Sequence, residues 1–175
     1  MATTYTPIAS ATVGSGGAAN ISFTDIPQIF TDLVVKISAR GTRTDQSFDT
    51  LTFIFNGNSS TVYSYRNIYG LNGAAGSLNG SATSSSVSTI YDGTDLATTL
   101  TFGNAEIYIP NYTSANYKSY SGDSVSESNS ANGPIAALGA GLFSQTTTIS
   151  SITFAQGSGS LTQYSSFYLY GIKNS

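Results

Sequence analysis

The alternation of apolar and polar positions is clearest near the C-terminus, where it predicts two β-strands separated by a Gly/Ser turn at 156–160. Ile152 and Phe154 share one face of the first strand, because side chains two residues apart point the same way. The second strand, from Ser166 to Ile172, carries apolar or tyrosine side chains on both faces. A strand of that kind is normally covered on both sides, so we predict a central position in a sheet.

The two faces of this last strand are predicted to have different surroundings. Phe167 and Leu169 should point into the core. Tyr168 and Tyr170 point the other way, and we expect them to meet a second layer or a neighbouring subunit.

Other short strands recur along the chain at intervals of about ten residues. The cleanest runs from Asp32 to Arg40, with alternate apolar residues facing inward and Arg40 outward. The segments 51–56 and 61–69 are predicted to pair as a hairpin, because Asn56-Gly57 is a strong turn signal. Residues 70–86 are close to low complexity and are predicted to form a long exposed loop.

This pattern favours an all-β fold. We predict a single-domain antiparallel β-sandwich, jelly-roll-like, with about eight to ten strands and no sustained helical periodicity. Residues 1–19 are predicted to be an N-terminal extended arm or edge strand, because Pro7 cannot donate to a sheet ladder. Residues 20–175 are predicted to be the β-sandwich domain.

Composition and charge narrow the possible partners. Charged residues make up 9% of the chain, against a usual figure of about 25%, yet aromatic and β-branched residues are too abundant for disorder. The formal net charge is −3 and the six basic residues form no patch, which argues against nucleic-acid binding. We expect no membrane partner either, since there is no signal peptide and no apolar run of membrane-spanning length.

The residues that usually carry catalysis and metal binding are scarce. There is no His, Cys or Trp, so the commonest general base and the thiolate ligands are absent. Asp92–Asp95 and 123–127 could offer oxygens to calcium, but their spacing matches no EF-hand and turns are favoured. We therefore predict no catalytic residue, no metal site and no cofactor.

The tyrosines are the most informative candidates for an interaction surface. One predicted stripe contains Tyr63, Tyr65 and Tyr69, and a second contains Tyr168 and Tyr170. Such stripes occur at the edge of a core, and equally at protein interfaces, where tyrosine is enriched. Sugar stacking is a third and weaker interpretation.

Several local sequences together resemble a known class of protein. They are Ile149–Phe154, Ser166–Lys173, Ala105–Tyr112 with Tyr117–Tyr120, and Tyr5–Val13 followed by Phe23–Gln28. These segments resemble small β-rich virion structural proteins of tailed bacteriophages, many of them from marine and cyanobacterial hosts. The resemblance covers most of the chain and is least at 70–104. It implies no cofactor and no catalytic residues.

This resemblance leads to a first hypothesis, a non-enzymatic capsid decoration (cement) protein of the virion, made in the cytoplasm of the bacterial host. Its expected partners are the major capsid protein and copies of itself, as a homo-oligomer such as a trimer, with tyrosine faces and the small-residue strand 135–143 forming contacts. The alternative is a tail-fibre or head-fibre module that binds host surface glycan through loops 41–49, 70–86 and 121–133. A glycan-degrading enzyme is disfavoured by the missing His and Trp.

Overall fold

The computed structural model describes residues 4–84, 87–94, 100–128 and 133–173. In this part of the chain all regular structure is β-strand, and no helix has the length and hydropathy to cross a membrane. The twelve strands are β1 (Thr6–Thr12), β2 (Asn20–Phe23), β3 (Asp32–Gly41), β4 (Phe48–Phe55), β5 (Tyr63–Leu71), β6 (Ala74–Ser84), β7 (Val87–Thr94), β8 (Gly103–Ile109), β9 (Lys118–Ser126), β10 (Ile135–Phe143), β11 (Ile152–Gln156) and β12 (Ser166–Ile172).

The strands form two layers that are joined at one corner. The larger sheet has the order β1-β12-β3-β8-β9-β10-β5-β6, and the smaller sheet has the order β2-β11-β4-β7. The layers join where Arg40 and Gly41 of β3 pair in parallel with β7, and the other pairings are antiparallel. The predicted single-domain all-β sandwich is confirmed, with more strands than the eight to ten expected.

Aromatic side chains from both layers fill the core. Phe53 lies 5.7 Å from Phe154 and 5.4 Å from Tyr120, measured between ring centroids. Tyr63 stacks on Phe143 at 5.2 Å. Such ring pairs contribute about 0.5–1.5 kcal/mol each beyond the area that they bury. The aromatic cluster therefore holds the two sheets together.

The C-terminal strands have the predicted faces but not the predicted neighbours. Ile152, Phe154, Phe167 and Leu169 are all buried, as their alternation indicated. β12 lies inside the larger sheet between β1 and β3, which confirms its central position. However, β11 does not pair with β12, because residues 157–165 carry the chain from the smaller sheet to the larger one.

The turn predicted at Asn56-Gly57 is confirmed, but the predicted pairing of the two strands that it connects is wrong. Both residues have positive φ, and the Asn58 amide donates to the Phe55 carbonyl at 2.9 Å, so the tight turn itself is present. However, β4 pairs with β7 and β11 in one sheet, whereas β5 pairs with β6 and β10 in the other. The turn reverses the chain while the strands diverge into different layers.

The long loops predicted at 70–86 and 121–133 are largely strands. β5 continues to Leu71 and turns at Asn72-Gly73, both with positive φ, into β6. β9 runs through Ser126, well into the second predicted loop. Residues 85–86 and 129–132 of these two predictions lie outside the described part of the chain. Neither strand was predicted, because Ser, Gly and Ala produce little hydrophobic periodicity.

Two further predictions concern the ends of single strands. The inward face of Asp32–Arg40 is confirmed, but Arg40 itself is buried rather than outward, and its Nη1 donates to the Thr101 carbonyl at 2.8 Å. At the N-terminus, β1 contains Pro7 and pairs with β12 at the margin of the larger sheet, among the residues described. The division of the chain at residue 19 stays a prediction.

Candidate interaction surface

The outer face of the larger sheet points away from the smaller sheet and carries the candidate surface. The alternation along β10 distinguishes the outer face from the inner one. Ile135 and Ala137 are buried, whereas Ala136, Leu138 and Ala140 are exposed. Both faces of β10 are apolar. Which of its side chains are buried is therefore decided by the face that the smaller sheet covers, and not by the hydrophobicity of the side chains.

An apolar patch lies on this face across β5, β9 and β10. It consists of Ile68 (62% exposed), Leu138 (59%), Val125 (43%), Ala136 and Ala140. The strand register places Leu138 between Ile68 and Asp123, and Val125 opposite Ala136. Contiguous exposed apolar side chains of this kind mark contact sites for other macromolecules.

Two shallow grooves border the ridge that Ile68 and Leu138 form. One, of about 640 Å³, lies toward Arg66 and Ala140. The other, of about 590 Å³, lies toward Val125 and is bordered by small residues such as glycine, alanine and serine. A ridge between two grooves gives a binding partner a shape to fit, in addition to apolar area to bury.

Opposite charges stand on two sides of the patch. Arg66 is exposed, and its Nη1 donates to the carbonyls of Tyr65 at 2.9 Å and Gly80 at 3.3 Å, which fixes the guanidinium at the margin. Asp123 is exposed on β9. Neither side chain forms a salt bridge with any residue that the structure describes.

The remaining half of the outer face is polar and aromatic. Lys36 on β3 forms a salt bridge of 2.6 Å with Glu106 on β8, which raises the pKa of the lysine. Tyr5 meets Tyr170 edge to face, with ring centroids 6.0 Å apart. Tyr168, on the same strand, is exposed. This half therefore offers tyrosine and a paired charge rather than aliphatic area.

The five tyrosines predicted as an interface do not share one surface. Tyr168 and Tyr170 lie on the outer face, whereas Tyr63 is fully buried in the core and Tyr65 and Tyr69 are partly buried on the same inward side. The Tyr63 hydroxyl accepts the Phe55 amide and donates to the Asn58 carbonyl, both at 2.9 Å. Burial raises the pKa of Tyr63 to about 12. As a core residue, Tyr63 has no surface to offer a partner.

Sequence reasoning named the strand 135–143 as a contact segment but did not identify the residues of the apolar patch. Ile68 lies on the face of β5 opposite Tyr63, and neither Ile68 nor Leu138 nor Val125 was selected as a candidate residue. The available signal was the two-sided apolar character of 135–143, which identifies a strand that needs two covers. Within the described part of the chain, only one face of this strand is covered by other residues.

A second feature is a pocket of about 220 Å³ lined by residues of both layers. Phe48, Tyr69 and Tyr91 line it, and the Arg43–Asp49 ion pair of 3.1 Å lies beside them. Phe48 and Tyr91 meet edge to face at 5.8 Å. Aromatic faces beside fixed polar groups can bind a small polar ligand by stacking and hydrogen bonds.

Two buried carboxylates, Asp49 and Asp92, lie opposite each other on β4 and β7. No group of three or more metal-ligating side chains occurs among the described residues, and Asp95 lies outside them. Asp92 is deeply buried and accepts a short hydrogen bond from Gln156 Nε2. Burial, and secondarily Asp49, raises the pKa of Asp92 to about 8. It is therefore an interior group rather than an exposed turn residue.

Comparison with protein families and with curated proteins adds no relative. No protein-family model matches the chain, and no curated protein matches it at a significant level.

Proposed function

We propose that this chain is a non-enzymatic structural protein of a bacteriophage virion, most like a capsid decoration protein that stabilises the head. The observation that carries the proposal is the apolar patch: Ile68 and Leu138 are more than half exposed on the outer face of the larger sheet. The class of particle rests on the expected resemblance of Ser166–Lys173 and the other segments to virion structural proteins.

Such a protein works through buried area, and the apolar patch supplies part of that area. Removing apolar surface from water contributes roughly 25 cal/mol per Å², so a few hundred Å² contribute several kcal/mol before the entropic cost of association is subtracted. Many copies on one particle add avidity without any single strong contact. The expected partners are the major capsid protein and further copies of the chain. The expected location is the virion, after synthesis in the host cytoplasm.

The direct experiment measures binding to purified expanded capsids and the heat resistance of the decorated particles. Leu138→Lys should abolish binding, because it places a charge in the centre of the patch. Tyr117→Lys is the matched control, since Tyr117 is 58% exposed, nearly the same as Leu138, but lies outside the patch. It should bind like the wild type. Failure of the wild-type protein to bind capsids would refute the proposal.

A second candidate function is glycan binding by a tail-fibre or head-fibre module. The pocket of about 220 Å³ favours it, because Tyr69, Tyr91 and the Arg43–Asp49 pair are suited to one sugar ring. The test is whether the protein blocks adsorption of phage to cells. Tyr69→Ala should remove this effect, whereas Leu138→Lys should leave it unchanged. Blocked adsorption without capsid binding would favour this second function over the first.

A further inference from the structure

We infer that the apolar patch binds a second copy of this chain, in a two-fold arrangement that sets Arg66 of each copy against Asp123 of the other. The inference rests on the proposed function only in treating the patch as a protein contact surface. It adds the identity of one partner and the contacts that select it.

The strand register fixes the relative positions of the two charges. Leu138 pairs with Ile68 on one side and with Asp123 on the other. Two residues further along β10, Ala140 pairs with Arg66. Arg66 and Asp123 are therefore two strands apart and two residues out of line. With about 4.8 Å between strands and about 3.4 Å per residue, their Cα atoms are roughly 12 Å apart across the patch.

This diagonal arrangement is self-complementary. A two-fold axis in the plane of contact, passing over β10 between Leu138 and Ala140, exchanges the positions of Arg66 and Asp123. An isologous contact of this kind uses the same surface on both copies and repeats each pair twice. The strands of the two copies then cross steeply, as in orthogonal sheet packing, and the ridge of one copy lies over a groove of the other.

Charge argues for a second copy over an unrelated partner. The patch presents one cation and one anion at opposite margins, with no salt-bridge partner for either among the described residues. A uniformly acidic or basic partner would leave one of them opposed to a like charge, whereas a second copy satisfies both. Complementary charges at an interface chiefly select the partner and its orientation.

The size of the patch sets the expected strength. From β9 to β5 it spans three strands, about 10 Å between the outermost axes. A stable protein interface buries about 800 Å² on each partner, which is more than this width provides by itself. We therefore expect a dimer that forms with increasing concentration and dissociates on dilution.

Sedimentation velocity over about 1 µM to 1 mM tests the inference, because that range brackets weak association. The wild type should shift from monomer to dimer. Arg66→Glu and Asp123→Lys should each raise the dissociation constant by at least about tenfold, because each makes two like-charge contacts. Both residues are exposed, so the thermal midpoints of the variants should match that of the wild type.

The decisive sample is an equimolar mixture of the two variants. In the mixed dimer the remaining Arg66 faces the remaining Asp123, and the introduced carboxylate faces the introduced ammonium group, so association should return to the wild-type level. A wild type that stays monomeric, or a mixture that fails to associate, would overturn the inference. If the monomer still binds capsids through Leu138, the proposed function stands. A dimer that binds no capsid supports the dimer alone.

Discussion

Asp49 of β4 and Asp92 of β7 lie directly opposite each other across an antiparallel strand pair, and both side chains are buried. Asp49 accepts the amides of Thr50 and Ser158 at 2.8 Å and is paired with Arg43. Asp92 Oδ1 and Gln156 Oε1 have no hydrogen-bond partner in the described structure. A proton on Asp92 Oδ1 would turn one of these two acceptors into a donor.

Replacing Asp92 with Asn should change how stability depends on pH. Burial first, and Asp49 second, raise the pKa of Asp92 to about 8 in the folded protein, well above its unfolded value near 4. The folded state thus binds the extra proton, and wild-type stability should fall as pH rises from about 4 to about 8. The amide carries no such cost. Asp92→Asn should be more stable at pH 8, by on the order of a few kcal/mol.

Urea denaturation at several pH values between 4 and 9 measures this difference. The advantage of Asp92→Asn over the wild type should shrink toward pH 4. Asp49→Asn is the matched control, and it should destabilise the protein, because the Asp49 carboxylate has three hydrogen-bond donors. A stability difference between Asp92→Asn and the wild type that is independent of pH would contradict the assignment.

Removing the Tyr63 hydroxyl should lower stability without changing the packing of the ring. Tyr63→Phe leaves the buried Phe55 amide without its 2.9 Å acceptor, and an unpaired buried donor costs about 1–3 kcal/mol. Tyr168→Phe, on an exposed residue, should change the free energy of unfolding by less than about 0.5 kcal/mol. Chemical denaturation of both variants provides the comparison. Equal effects would mean that the buried hydroxyl contributes nothing specific.

Asn56 should stabilise the turn through both its backbone and its side chain. Its Oδ1 accepts the amides of Ser150 and Ser151, its Nδ2 donates to the Thr148 carbonyl at 2.7 Å, and its φ is 53°. Asn56→Gly keeps the freedom to adopt positive φ but loses these bonds, whereas Asn56→Ala loses both. We expect both to be destabilised, with Asn56→Ala lower by roughly 1 kcal/mol. Thermal unfolding that ranks them in the opposite order would contradict this account.

A methyl group at Gly141 should not fit. A Cβ there would lie 2.1 Å from the Tyr120 hydroxyl and 2.6 Å from the Ser64 carbonyl oxygen. Gly141→Ala should therefore cost about 1–3 kcal/mol through overpacking. Gly70→Ala is the control on the next strand, since nothing lies within 4 Å of that position. It should be neutral or slightly stabilising by differential scanning calorimetry. Similar midpoints for the two variants would mean that the sheet adjusts without strain.

Local alternation predicted which side of a strand faces the core. Leu33, Val35 and Ile37 were assigned inward from their spacing alone, and all three are buried. The same reasoning placed Phe167 and Leu169 correctly. This works because successive side chains of a strand must point to opposite faces, so parity survives whatever the strand pairs with. Where small residues replace the alternation, as in β6, the strand was missed.

The sequence by itself determined the fold class, the faces of the apolar strands and the tight turn at Asn56-Gly57, because these depend on residues that are neighbours in the chain. Only the tertiary structure decided that β4 and β5 separate into different layers and that Asp92 is buried beside Asp49. It also decided that Leu138 is exposed although it is as apolar as the core. Pairing and burial depend on segments far apart in sequence that compete for the same surfaces, and local periodicity carries no record of that competition.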